Sequence, residues 1–122
     1  LITYHPETLD LSPNREKIET LLSILDKLDE TFLIFTGANA DPCGAQINQA
    51  LRSFVSQRSE KSFFTESLGS LNYLSMLQYV DMVIGNSSSG LIEVPVFQKG
   101  TINIGNRQKR LSFVLFYEYI IR

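Results

Sequence analysis

Five short apolar runs divide this 122-residue chain, and amphipathic helical patterns fill the intervals between them. The runs fall at residues 1–4, 31–36, 62–64, 82–85 and 101–104. Alternation of this kind over short connections permits few folds. It predicts an α/β fold, a Rossmann-like doubly wound parallel sheet with right-handed crossovers. The second run, Thr31-Phe32-Leu33-Ile34-Phe35-Thr36, is apolar through its middle, as a strand covered on both faces requires. Ser12-Pro13 reads as a helix cap followed by proline, with Ile18, Leu21, Leu22, Leu25 and Leu28 as the buried stripe. Asp41-Pro42 repeats the signal ahead of Ile47, Ala50, Leu51, Phe54 and Val55. A third helix starts near Ser70 and carries Leu71, Leu74 and Leu77. The helix after Ser89 must be short or kinked, because Pro95 has no N–H for the carbonyl of Leu91.

The length fits one compact domain, and a hydrophobic fraction of 43% is enough for a core. A net charge of −2 gives no general attraction for nucleic acid or an anionic membrane, so any anion site must be local. No apolar run approaches the roughly 20 residues of a membrane span. The single cysteine, Cys43, rules out an internal disulfide and reads as structural; it suits a reducing, cytoplasmic setting. With one histidine and one cysteine, neither a structural zinc nor another metal is expected, and no cofactor is called for.

Parallel sheets of this type bind ligands at the carboxyl ends of their strands. The segment there with the most chemistry is Gly85-Asn86-Ser87-Ser88-Ser89-Gly90, between the fourth strand and the short helix. Such a turn leaves backbone N–H groups unpaired at the positive end of a helix, which suits a phosphate or diphosphate. Glycine at 85 and 90 would let a ligand approach the main chain, and three serines add hydroxyls. Glu93, about one turn on, is placed to accept from a sugar hydroxyl. The plainer alternative is that Asn86 or Ser87 only caps the helix, although a cap needs one such residue and not three in a row. The pattern matches neither GxxxxGK[ST] nor GxGxxG, and the last glycine of a nucleophile elbow falls one place late, at Gly90.

Other candidates lie at neighbouring strand exits. His5 could donate to a phosphate oxygen or act as an acid on a leaving diphosphate; alternatively it satisfies a backbone carbonyl. Asn39 and Asp41 follow the second strand, where Asp41 has a structural alternative as a helix cap and Asn39 as a turn residue. Tyr73 could stack on a flat base, or pack with Leu77 and Val80 on one helical face. Arg107 follows the fifth strand, where a guanidinium can bind phosphate oxygens in a bidentate way or stand as a surface charge.

Together these segments carry a family likeness. Tyr4-His5-Pro6-Glu7-Thr8, Phe35-Thr36 with Asn39-Ala40-Asp41, Gly85 to Gly90 with Glu93 and Pro95, and Asn103-Ile104-Gly105-Asn106-Arg107-Gln108 resemble the UDP-N-acetylglucosamine 2-epimerases. The likeness is greatest to the hydrolysing branch that feeds sialic-acid-type sugar synthesis, and it runs from about residue 3 to residue 111. The resemblance implies a two-domain GT-B enzyme with its active site between two Rossmann-like halves, of which this chain is the C-terminal, nucleotide-holding one. It implies that Ser87, Ser88, Ser89 and Gly90 hold the diphosphate of a UDP-sugar and that Glu93 holds the ribose. Arg107 and His5 would lie at the phosphates, His5 nearest the departing sugar oxygen and catalytic. Tyr73 would lie against uracil, Leu68 would touch the base edge through its backbone, and Asn39 and Asp41 would line the cleft. The proton-moving carboxylates would belong to the missing N-terminal half, so this chain alone is expected to be inactive.

The readings to be separated are this epimerase half, the donor half of a GT-B glycosyltransferase, and a non-catalytic α/β interaction domain whose serines only cap a helix. The family's usual Arg-Gln-x-Gly-Arg is broken here, where Lys109-Arg110-Leu111 lacks the glycine and runs into an apolar tail at residues 112–122. Strand, helix and exposed end all fit that tail. The chain opens on a strand and without methionine, as a piece of a longer protein would, and homo-oligomerisation stays open.

Overall fold

The computed structural model describes residues 1–7, 11–108 and 118–121. In chain order the elements are β1 (Ile2–Thr3), α1 (Leu11–Leu25), β2 (Leu33–Thr36), α2 (Pro42–Gln57), β3 (Ser62–Thr65), α3 (Gly69–Leu77), β4 (Met82–Gly85), α4 (Ser89–Ile92), a 3-10 turn at Val94–Phe97, β5 (Gly100–Ile104) and β6 (Glu118–Ile121). The strands form one sheet in the order β3-β2-β1-β4-β5-β6, every pairing parallel. The strand order reverses between β1 and β4, which is where a crevice opens in sheets of this class.

Side-chain alternation along the strands sends residues to two clusters. Ile2, Tyr4, Leu33 and Phe35 meet Ile18, Leu21, Leu22 and Leu25 of α1 and Ile47 and Leu51 of α2. On the opposite face Leu1 and Val83 meet Leu77 of α3 and Val94 of the 3-10 turn. Both faces are thus covered, as an all-parallel sheet requires.

Three expectations shift. Ser12 does not cap the first helix: α1 already runs from Leu11, and Pro13 sits within its first turn, where N–H groups have no intrahelical acceptor to lose. Leu28 lies beyond the end of α1 and is exposed. Leu71 and Leu74 also face out, at 79% and 38% exposure, because α3 turns Tyr73, Met76 and Leu77 inward instead, with Val80 packing beside them just past its end. Asp41 does cap α2, its Oδ1 accepting from Gly44 N–H at 2.7 Å, with Pro42 in the first turn. Ser89–Ile92 is indeed short and gives way to 3-10 structure at Pro95. Of the tail, Glu118–Ile121 runs parallel to β5, with Thr101 opposite Glu118 and Ile104 opposite Ile121. The remaining tail residues and Arg110 lie outside the described residues.

Candidate functional site

A cavity of about 490 Å3 opens along the carboxyl ends of β1 to β4, on the face covered by α3. Its floor is the buried pair Thr3 and Thr36, whose hydroxyls bond at 2.6 Å. Four strand exits supply its wall: His5 after β1, Asn39 after β2, Leu68 after β3, and Ser87, Ser89 and Glu93 after β4, with Tyr73 rising from α3. Residues distant in sequence are therefore gathered by topology alone.

The serine turn is built by what its neighbours hold. Gly85 adopts φ +150°, and a Cβ there would lie 1.8 Å from the Thr3 carbonyl oxygen. Gly90 is buried, and a Cβ there would press Thr101 Cγ2 at 2.8 Å, while Thr101 Oγ1 donates to the Gly90 carbonyl at 2.8 Å. Both glycines thus serve close approach of the chain to itself, on β1 and on β5, rather than of a ligand to the chain. Gly90 N–H is already spent on the Ser87 carbonyl at 3.2 Å. By contrast, among the described residues the N–H groups of Ser87 and Ser88 have no acceptor. Ser88 stands at the N-cap of α4 without a side-chain capping bond, and Ser87 Oγ accepts only a long 3.4 Å contact from Ser89 N–H. Capping therefore accounts for little of the serine content. Asn86, the other candidate cap, is directed to β1 instead, where its side chain bonds both N–H and C=O of His5 at 2.8 Å.

Ser89 Oγ donates to Tyr73 Oη at 2.6 Å and ties α3 to the turn. Burial raises the Tyr73 phenol above its ordinary pKa, opposed by that hydrogen bond and reinforced by the Glu93 charge. Tyr73 also packs on the Leu77 and Val94 cluster, so the helical-face alternative holds while its hydroxyl edge reaches the cavity. His5 is pushed below the ordinary histidine pKa, first by burial and then by the Arg107 charge, with Asp41 pulling the other way. It is therefore neutral near pH 7. Its Nδ1 is buried without a partner among the described residues.

Not every candidate reaches the cavity. Arg107 and Gln108 lie at the β5 exit and donate to the Asn86 carbonyl, at 3.3 Å and 2.8 Å. Asp41 is exposed and spends one oxygen on its cap; Ser88, Gly90, Arg107 and Asp41 are outside the cavity wall. Two groups that sequence reasoning passed over shape the loops. Asn48 on α2 accepts from Ala38 N–H at 2.7 Å and donates to its carbonyl at 3.3 Å, and Asn14 on α1 accepts from Glu7 N–H at 3.1 Å. With Asn86 these make three buried asparagines, each holding the backbone of a strand-exit loop. The available signal was an amide at an otherwise buried register, since such groups are retained where they are bonded. Among the described residues no group of three or more His, Cys, Asp or Glu is placed to hold a metal, and no helix is long and apolar enough to cross a membrane.

The family model described as UDP-N-acetylglucosamine 2-epimerase matches residues 1–114. The chain belongs to this epimerase family. The family is of the GT-B type, and the parallel sheet with helices on both faces is its Rossmann-like arrangement. Over 109 residues, 89% of the chain, it is 48% identical to the GDP/UDP-N,N'-diacetylbacillosamine 2-epimerase (hydrolyzing) of Campylobacter jejuni. It is 41% identical over 110 residues, again 89% of the chain, to the polysialic acid biosynthesis protein P7 of Escherichia coli. A UDP-N,N'-diacetylbacillosamine 2-epimerase (hydrolyzing) of Legionella pneumophila is 24% identical over 110 residues, 88% of the chain. In each case the chain spans 28% of the relative's length. The epimerase likeness covers all four strand exits of the cavity.

Proposed function

We propose that this chain is the UDP-holding half of a hydrolysing 2-epimerase acting in sialic-acid-type sugar biosynthesis, and that alone it binds UDP weakly and turns nothing over. The observation that carries the reading is the pair of bare amides at Ser87 and Ser88, the first of them with its hydroxyl in the same cavity wall as His5 and the second next to it in the chain. Bare N–H groups and hydroxyls are what a diphosphate accepts from. Ser87, Ser88 and Ser89 take the diphosphate, and Gly90 lets α4 seat against β5 so that they can. Glu93 takes the ribose, Tyr73 and Leu68 take the base, and Arg107 adds charge at the phosphate end. Asn39 and Asp41 face the missing N-terminal half. The whole reaction is elimination of UDP from a UDP-linked 2-acetamido sugar to give a glycal, followed by addition of water with inversion at carbon 2. The freed products are UDP and the 2-epimeric sugar, N-acetylmannosamine where the substrate is UDP-N-acetylglucosamine. The names of the Campylobacter and Legionella relatives extend the candidate sugars to diacetamido derivatives, which leave the diphosphate contacts unchanged.

His5 serves the departing oxygen. A diphosphate beside a neutral imidazole favours its protonated form, so binding draws a proton onto the ring. UDP is accordingly expected to raise the His5 pKa, read from the imidazole proton shifts during a pH titration; an unmoved pKa contradicts the contact. For the chain as a whole, titration calorimetry or NMR is expected to give a UDP Kd near 1 mM, about 4 kcal/mol. Ser87→Ala is expected to weaken UDP about tenfold through loss of a hydroxyl donor to a charged group, with uridine nearly unaffected. Equal binding of UDP and uridine would dismiss the diphosphate site.

A further inference from the structure

Asn86 is outside the wall of the cavity at the strand exits, yet three of those exits meet on it. It is fully buried at the end of β4. The parallel β1–β4 register ends with Thr3 opposite Gly85. One step beyond, the Asn86 side-chain amide takes over as a peptide group would: Oδ1 accepts from His5 N–H and Nδ2 donates to His5 C=O, both at 2.8 Å. The Asn86 backbone N–H donates to the Thr3 carbonyl at 3.2 Å. Its backbone carbonyl accepts from Arg107 Nη1 and Gln108 Nε2 at the β5 exit. The residue immediately after it is Ser87, first of the bare amides. The serine turn and His5 therefore have their separation fixed by one short side chain with few rotamers.

We propose that Asn86 is the positioning residue of the nucleotide site, setting His5 against the serine turn and acting on the ligand through His5 without touching it. This rests on the nucleotide reading above. An asparagine is required because only a side-chain amide offers donor and acceptor in the geometry of a peptide. Alanine leaves the His5 N–H and C=O unpaired at a part-buried site and frees the imidazole from its place.

A double-mutant cycle on UDP affinity in the 122-residue chain tests this. Asn86→Ala is expected to weaken UDP about tenfold in the wild-type background and less than about twofold in the His5→Ala background, since residues acting through one contact are non-additive. The same loss in both backgrounds overturns the proposal and leaves the nucleotide reading standing. Absence of UDP binding by the wild-type chain overturns that reading, and the proposal with it. A ligand-free readout accompanies the cycle: with Asn86→Ala the His5 pKa is expected to rise toward the ordinary histidine value as the exit loosens, and an unchanged pKa counts against positioning. Should the alanine chain fail to fold, Asn86→Asp keeps the volume and the acceptor for His5 N–H. Taken through the same affinity cycle, it supports the proposal if its loss shrinks in the His5→Ala background and overturns it if the loss is the same in both.

Discussion

Replacing Gly85 with alanine is expected to destabilise the domain by about 3 kcal/mol or more, and to abolish UDP binding with it. The new Cβ would stand 1.8 Å from the Thr3 carbonyl oxygen and 2.7 Å from its carbon, at a φ of +150° that side chains rarely adopt. Thr3 cannot retreat. It is buried, paired to Thr36 on one side and Gly85 on the other, and its hydroxyl forms the cavity floor with Thr36. The strain must therefore pass either into β1, which leads into His5, or into the serine turn. Gly100, in β5, is the control: a Cβ there meets nothing within 4 Å, and Gly100→Ala is expected to lie within about 0.5 kcal/mol of wild type. Urea denaturation of the two variants reads both numbers. An unchanged midpoint for Gly85→Ala would mean that β1 and the turn are not in the close contact on which the site depends.

The second large effect is a loss of stability on mild acidification. His5 is held below the ordinary histidine pKa of 6.5, first by burial and then by the Arg107 charge, against a smaller raising pull from Asp41. The unfolded chain therefore binds this proton first. Stability is complete above the ordinary histidine value and falls as the pH drops through it toward the folded one. His5→Ala removes the titrating imidazole and is expected to flatten that part of the slope. Thermal melts of both chains on either side of the ordinary histidine pKa make the comparison. A slope that survives His5→Ala in full would place the titration elsewhere.

What the sequence disclosed was local in origin. Met82–Gly85 shows its strand through a run of apolar residues closed by glycine, Asp41-Pro42 declares a helix start, and Pro95 declares a helix end. Each depends on residues within a turn or two. The strand exits that would share a cavity followed from the parallel alternation, and His5, Asn39, Leu68, Tyr73, Ser87, Ser89 and Glu93 do share one. What stayed hidden was long-range. Asn86 looked like a helix cap because its partner, His5, lies 81 positions away. Asn48 sat inside an apolar stripe with no sequence cue to Ala38. Gly90 suggested room for a ligand, while the space is needed for Thr101. Leu71 matched a helical stripe that the tertiary packing rotated outward.

The nucleotide reading stands or falls on an anion settling at the serine turn and not elsewhere. The fold offers a rival: a cavity of about 480 Å3 among Leu22, Asp26, Phe54, Arg58 and Lys61, at the far ends of α1 and α2, where two cations stand. There Arg58 already donates to the carbonyls of Asp26 and Leu28, and Lys61 to that of Asp29, so both cations serve the end of α1. Backbone amide shifts recorded during a UDP titration separate the two. Movement is expected at Ser87 and Ser88, with Leu68 and Glu93 following at the same concentration, and stillness around Arg58 and Lys61. Shifts centred on Arg58 and Lys61, with Ser87 and Ser88 unmoved, would contradict a diphosphate site at the serine turn.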